Sequence, residues 1–208
     1  MSRIALAVAG LLFLLYPAFR PWTDETTAAG ALEAMGSNAW VVSHLFAMVG
    51  FVLVSLALLG MREIVGIRAV AVTWAGAGLT LPYYGAEDFG LHAAATKGSN
   101  LLAVAEAVRY NPFAVTSFAV GLILLGVGAV LVAVAVWRSG TVAKYSGFAF
   151  AAGFVLFLPQ FFTPAPFRIA HGVLMLVGLV GLAIAAAPAK AASAPRPALP
   201  TLSGQGAA

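Results

Sequence analysis

Six long apolar runs dominate this sequence of 208 residues and constrain its fold more than any short motif does. They cover about residues 3–19, 39–60, 69–85, 112–137, 146–163 and 166–187. A helix needs about 20 mostly apolar residues to cross the hydrocarbon core of a bilayer. Only 9% of the residues are charged, too few to cover the surface of a soluble domain of this size. Residues 1–187 are therefore predicted to form an all-α integral membrane protein, a six-helix transmembrane bundle.

The two ends of the chain are predicted from their composition. The first apolar run follows Arg3 and ends at Tyr16-Pro17 without a small-x-small cleavage site, so we expect it to remain as the first span. Residues 188–208 are rich in Ala, Pro, Ser and Gly, a composition that cannot bury a core. This segment is predicted to be a disordered cytoplasmic tail.

The basic residues between the runs predict the orientation of the bundle. With the N-terminus in the cytoplasm, seven Lys or Arg residues fall on the inner side and four on the outer side. The inner ones are Arg3, Arg62, Arg68, Arg138, Lys144, Lys190 and Arg196, and the outer ones are Arg20, Lys97, Arg109 and Arg168. Cytoplasmic loops of membrane proteins are enriched in Lys and Arg. The pattern therefore predicts a multi-pass protein of the cell's inner membrane with both termini in the cytoplasm.

Two outer connections have the pattern of short surface helices. Residues 23–37 begin with Thr23 and acidic residues, which favour a helix start. Residues 97–110 offer Ser99 or Asn100 as a cap, followed by an apolar face with Glu106 and Arg109 opposite it. Both segments are predicted to be amphipathic helices that cover the outer end of the bundle.

A short sequence pattern that occurs three times suggests that the bundle consists of three helical hairpins. Each odd-numbered run ends in Pro followed by aromatic residues, at Pro17, Pro82 and Pro159. Each even-numbered run opens with an aromatic residue and then a polar one at the same spacing; the polar residues are His44, Ser117 and His171. Pro and aromatic residues are also enriched wherever a helix enters the membrane at the interface between lipid and water. The repeated pattern therefore indicates either an internal repeat or a shared membrane depth.

Polar residues gather at the predicted outer end and form the candidate site. The candidate ligand-binding residues are His44, His92, His171, Glu87, Asp88, Ser117 and Arg168. Histidines and carboxylates are costly at membrane depth unless they pair or face the bundle interior. If residues 83–95 are helical, Asp88 and His92 share one helix face, although Gly85 and Gly90 weaken that helix. Arg168 is placed either to hold an anionic group or to reach the membrane interface.

Three explanations of this cluster stay open. His44, His92, His171 and Asp88 have the donor types of a zinc or other divalent metal site. His44 and His171, at matched depth on different helices, could instead be the axial ligands of a b-type haem. A structural role as interhelical hydrogen bonders is the third explanation. No compact metal motif distinguishes among them.

The sequence does not name an activity, and three functions remain. The first is a non-enzymatic binding or accessory protein with an outward-facing His/Asp/Glu pocket, placed in the bilayer alone or beside other membrane subunits. The second is a metal-dependent membrane hydrolase that uses the same cluster. The third is a small carrier or channel-like protein, which the lack of charged residues at mid-depth disfavours. Nucleic acid is not an expected partner because the basic residues are scattered singly, and the lack of cysteine excludes thiolate chemistry.

Overall fold

The computed structural model describes residues 2–98, 100–140 and 142–186, and this part of the chain is helical without strands. Its ten α-helices are α1 (Ser2–Phe19), α2 (Ala28–Met35), α3 (Asn38–Gly60), α4 (Arg62–Val65), α5 (Ile67–Gly85), α6 (Leu91–Thr96), α7 (Leu101–Arg109), α8 (Pro112–Ser139), α9 (Ser146–Val155) and α10 (Ala165–Ala185). A π-helical turn, Ala86–Gly90, joins α5 to α6, and a 3-10 turn, Pro159–Phe162, precedes α10. The predicted tail lies outside the described residues.

Four of these helices are long and apolar enough to cross a membrane, namely α1, α3, α8 and α10, with 18, 23, 28 and 21 residues. They correspond to the first, second, fourth and sixth predicted spans. Helix α5 corresponds to the third span, but it carries Arg68, Thr73 and Thr80 and does not reach the same apolarity. A membrane protein is thus supported, whereas crossing by all six segments stays a prediction.

The fifth predicted span is wrong as a continuous helix. Helix α9 has only 10 residues and ends at Val155, well before the predicted boundary at residue 163. The chain then turns and forms the 3-10 turn that begins with Pro159. Pro159 lacks the N–H that would bond to the carbonyl oxygen of Val155, four residues earlier, and its ring would clash with that carbonyl. A helix of this length spans about 15 Å, roughly half of the hydrocarbon core.

Consecutive long helices pack as pairs, and the pairs pack against one another. Helix α1 lies against α3, α5 against α8, and α9 against α10, while α1–α10, α8–α9 and α3–α5 contacts join the pairs. Small residues allow the closest approaches. A Cβ atom on Gly76 of α5 would lie 2.8 Å from the carbonyl oxygen of Gly121 on α8. A Cβ atom on Gly178 of α10 would lie 2.6 Å from the backbone nitrogen of Phe150 on α9. These contacts between backbones explain the many glycines in the apolar runs.

Phenylalanine rings fill the space between the helix pairs. The ring of Phe13 lies 5.0 Å from that of Phe51, 6.0 Å from that of Phe154 and 5.8 Å from that of Phe157, mostly edge to face. All four side chains are at most 2% exposed. The centre of the bundle is therefore a packed aromatic core.

The short helices α2, α6 and α7 cover one end of the bundle, hereafter the capped end, which corresponds to the predicted outer side. They share a second apolar core with Trp40, of which Met35, Trp40 and Leu91 are the largest fully buried members. Helix α7 is capped by Asn100, as predicted, since its side chain accepts a hydrogen bond from Ala103 N. The predicted start of the first surface helix at Thr23 is wrong, because Thr27 caps α2 and residues 23–27 form a turn.

Candidate functional site

A cavity of about 810 Å³ opens at the capped end, between α1, α3, α5, α8 and the turn before α10. Its lining residues are Tyr16, Arg20, Trp22, Glu25, His44, Tyr83, Tyr84, Glu87, Arg109, Tyr110, Val115, Phe118, Ala119, Leu158, Phe161, Phe162, Thr163, Pro164, Ala165 and Arg168. This volume is typical of a site for one small molecule.

The floor of the cavity and one wall are aromatic. The ring of Tyr83 stacks on that of Phe118 at 4.2 Å, and Phe118 meets Phe161 edge to face at 5.5 Å. Tyr16 and Tyr84 form the floor, with ring centroids 5.8 Å apart, and Tyr84 in turn contacts Phe51 of the central core at 5.6 Å. The helix ends place these residues together because the tyrosines close α1 and α5 while Phe118 opens α8. An apolar molecule would find continuous ring surface here.

A chain of four charged side chains forms the opposite wall. Arg20 pairs with Glu25 at 2.5 Å, Glu25 with Arg109 at 2.8 Å, and Arg109 with Glu87 at 2.7 Å. Arg109 holds Glu87 through two nitrogens, the bidentate geometry that Arg favours. Burial alone would lower the pKa of Arg109, but the bonds and charges of Glu87 and Glu25 raise it above its ordinary value. Two cations and two anions therefore balance within this chain.

Arg168 is a further cation in the cavity wall, and no carboxylate of the described residues lies within ion-pairing distance of it. It donates hydrogen bonds to the carbonyl oxygens of Phe161 and Thr163 instead. Its guanidinium lies 5.3 Å from the ring centroids of both Trp22 and Phe161. These contacts fix the side chain toward the cavity without neutralising it, so the lining carries three arginines against two glutamates.

One polar group of the cavity residues, Nε of Arg20, is buried without a hydrogen-bond partner among the described residues. Arg20 itself is held by Glu25 and by the faces of Trp22 and Trp40, whose centroids lie 4.6 and 4.8 Å from its guanidinium carbon. A buried donor without a partner is costly and marks a place where an acceptor would be favourable.

The three predicted histidines bind backbone carbonyls at separate places. Nδ1 of His44 donates to Trp40 O, Nδ1 of His92 to Met35 O, and Nε2 of His171 to Gly153 O, each at 2.8 Å. Of the three, His44 lines the cavity, whereas His171 faces a narrow cleft beside Phe13 and Phe157. The described residues contain no group of three His, Asp or Glu side chains that could hold a metal ion. The predicted zinc site therefore has no support, and the haem prediction gains none.

The remaining predicted residues divide between the cavity and the scaffold. Glu87 and Arg168 line the cavity, as described above. Ser117 donates to Leu79 O at 3.1 Å, joining α8 to its partner helix α5. Asp88 is fully buried behind the cavity, and neither of its carboxylate oxygens has a hydrogen-bond partner among the described residues. The segment that carries Asp88 and His92 is helical despite its two glycines, with the π turn inside it.

Sequence reasoning missed three of the four residues of the charged chain. Arg20 and Glu25 lie in the connection between α1 and α2, and Arg109, which ends α7, was predicted on the polar face of that helix. Arg109 instead lines the cavity, where it pairs with Glu87 and Glu25. The excess of acids and lone arginines in the outer connections was the available signal, but it does not reveal which of them meet.

No family model matches this sequence, and comparison with curated proteins and with solved structures found no match either.

Proposed function

We propose that this chain is a non-enzymatic membrane protein that binds one small, largely apolar molecule in the cavity at its capped end. In this proposal all six apolar segments lie in the membrane, with α9 and its 3-10 turn forming the shortest one. The capped end faces outward, because the basic residues of the connections favour the opposite end in the cytoplasm.

The observation that carries the proposal is the composition of the cavity wall. A space of about 810 Å³ bounded by aromatic rings, with a few converging polar groups, has the usual features of a small-molecule site. The polar groups are fixed before any ligand arrives, since salt bridges and carbonyl contacts hold the arginines. A site prepared in this way loses little conformational entropy on binding.

Binding is favoured over hydrolysis and over transport for two physical reasons. A metal-dependent hydrolase needs at least three converging ligands, and the histidines instead donate to separate carbonyls. A carrier needs a route past the centre of the bundle, where Phe13, Phe51 and Phe157 are packed ring to ring. The cavity therefore ends on an aromatic floor.

Quenching of tryptophan fluorescence by a neutral brominated ligand tests the proposal. Trp22 lines the cavity and Trp40 lies beside Arg20. The Trp74→Phe/Trp137→Phe variant removes the two tryptophans that lie away from the cavity. We expect methyl 12-bromododecanoate, added to the full chain in neutral detergent, to quench the remaining fluorescence saturably, because bromine quenches on contact.

Two alanine-to-phenylalanine variants, one inside the cavity and one on the surface, provide the matched comparison. Ala119→Phe adds a ring inside the cavity, whereas Ala170→Phe adds one on an exposed position of α10. Saturable quenching should disappear in the first variant and persist in the second. Quenching that is linear in ligand, or equal in both variants, would show partition into the micelle and contradict a binding site.

A further inference from the structure

The cavity has a side opening between α8 and the 3-10 turn before α10. At this opening, three exposed residues line the cavity: Tyr110 at 75%, Val115 at 41% and Phe162 at 85%. A side chain that faces both the cavity and the exterior lies at the mouth. Tyr110 and Val115 flank the start of α8, and Phe162 ends the 3-10 turn. The mouth therefore lies along the flank of the helices.

The distance between α8 and the segment formed by α9 and its 3-10 turn increases toward the capped end. Farther from it, α8 and α9 nearly touch, since a Cβ on Gly147 would lie 2.7 Å from the Cα of Ala133. A Cβ on Gly126, nearer the capped end, would lie 3.5 Å from the Cα of Val155. Beyond that level the ring contact of Phe118 with Phe161 replaces backbone contact. The slit thus widens in the direction of the capped end.

The surface around the mouth is apolar and aromatic. Phe113, in the first turn of α8, is 85% exposed, and Phe167, in the first turn of α10, is 65% exposed. Aromatic side chains at the ends of long apolar helices favour the interface between lipid and water. A mouth bordered by such residues opens toward the lipid leaflet, and an apolar chain could pass it without leaving an apolar environment.

The charged wall of the cavity has the opposite character. Arg168 has no carboxylate partner among the described residues, and the buried Nε of Arg20 has no acceptor there. Glu25 and Glu87 are already occupied by Arg20 and Arg109. Among the described residues, Arg168 therefore lacks a negatively charged partner and Nε of Arg20 lacks an acceptor. Guanidinium groups bind negatively charged oxygens more strongly than neutral ones, so a ligand with such oxygens fits them best.

We infer that the ligand is a single-chain amphiphile with a carboxylate or phosphate headgroup, taken up sideways from the outer leaflet. This inference rests on the proposed binding function and adds the chemistry of the ligand and its route. The headgroup lies at Arg168 and Arg20, and the chain follows Phe118 and Phe161 to the mouth. A charged head at the arginines and an apolar tail toward lipid match the charged wall and the mouth of the cavity.

A comparison of charged and neutral probes tests the headgroup. In the Trp74→Phe/Trp137→Phe background at alkaline pH, 12-bromododecanoate and bromododecyl phosphate should bind at least about tenfold more tightly than methyl 12-bromododecanoate, a ratio expected for one charge-assisted contact. Arg168→Gln should remove this preference, measured as the ratio of the affinities for the acid and the ester within the same variant. Arg138→Gln, which removes a basic residue at the other end of α8, should keep it.

The outcomes separate the two claims. Equal affinity for the acid and the ester in the wild-type background would overturn the anionic headgroup while the binding function stands. Absence of saturable quenching by any of the probes would overturn the binding function itself. If acetate or inorganic phosphate binds as tightly as bromododecanoate, the cavity takes a free anion and the amphiphile is wrong.

The position of bromine along the chain tests the orientation and the route. Phe162→Trp in the same background places a fluorophore at the mouth, and Phe148→Trp places one on an exposed position of α9 as a micelle control. Relative to 2-bromododecanoate, 12-bromododecanoate should quench the tryptophan at the mouth more strongly and Trp22 less. The reverse order would overturn a tail directed toward the lipid. Equal saturable quenching in the Phe148→Trp variant would overturn the route.

Discussion

At the capped end the helices part and enclose a cavity held open by ion pairs, whereas in the middle of the bundle they pack backbone to backbone. The difference follows from the side chains at each level. Glycine and threonine bring α5 and α8 together around Gly76 and Thr73, while Tyr83, Arg109 and Phe118 are too large to allow this near the capped end. Large charged and aromatic residues therefore create space where small ones remove it.

The largest expected effect is loss of the ion pairs that hold the cavity open. Arg109→Gln leaves Glu87 and Glu25 buried with fewer partners and should cost about 3 kcal/mol of unfolding free energy. Arg62→Gln removes the exposed pair with Glu63, whose side chains are 55% and 87% exposed, and should not measurably change the melting temperature. Thermal unfolding in detergent measures both variants. Equal losses would mean that the chain of charges at the capped end is no more important than a surface pair.

A smaller loss is expected from an added methyl group in the middle of the bundle. A Cβ on Gly76 would lie 2.7 Å from the backbone nitrogen of Leu125, so Gly76→Ala must force α5 and α8 apart. We expect a loss of about 2 kcal/mol, as for other overpacked cores. Gly78→Ala, two residues along the same helix, meets no atom within 4 Å and should be neutral or slightly stabilising. Thermal unfolding in detergent measures both variants. If Gly76→Ala is tolerated as well as Gly78→Ala, α5 and α8 are not closely packed at this position.

Because the carboxyl of Asp88 is buried, its replacement should increase the free energy of unfolding by an amount that depends on pH. Burial raises its pKa from 3.8 to about 7, while the charge of His92 acts in the other direction. Below pH 3.8 the carboxyl is protonated in the folded and the unfolded protein, so its burial carries no penalty for ionisation. As the pH rises from 3.8 through about 7, the unfolded protein ionises first, and the free energy of unfolding falls until the folded carboxyl is ionised too. Asp88→Asn should thus stabilise the protein by about 1 kcal/mol at pH 8, less than the full shift implies because the amide is also poorly bonded.

The comparison of melting temperatures at pH 8 and pH 5 tests this assignment. The difference between Asp88→Asn and the wild type should shrink toward pH 5, where the wild-type carboxyl is protonated in the folded protein. Ser117→Ala serves as a control because it removes a hydrogen bond to Leu79 O that does not titrate. A difference that is constant between the two pH values would exclude titration of Asp88.

The smallest expected effect concerns the cap of α7. Asn100→Ala removes the acceptor for Ala103 N and should cost about 0.5 to 1 kcal/mol, because α7 is short and exposed at its start. Asn100→Ser, which keeps a capping oxygen, should recover most of the loss. Hydrogen exchange of the α7 amides measures the effect locally. Unchanged exchange in Asn100→Ala would mean that the core around Trp40 alone holds α7 in place.

The sequence by itself determined the class of protein, four of the apolar helices and the end of the molecule at which the polar residues gather. Hydrophobic length and the placement of Lys and Arg are local properties, so a single chain displays them. It also predicted one depth for His44, Ser117 and His171 and placed Glu87 and Arg168 at the same outer end; of these five, His44, Glu87 and Arg168 line the cavity. The early end of α9 was readable in principle from Pro159, although the apolar run continued past it.

Only the tertiary structure decided which polar residues meet. Arg20, Glu25, Glu87 and Arg109 come from three separate segments, and their pairing depends on how the connections cross the capped end. The same packing directs the three histidines toward backbone carbonyls at separate places, so they form no shared metal site within the described residues. Depth in the bilayer is encoded along the chain, but direction around each helix is set by the neighbours it packs against, and that direction placed the cavity.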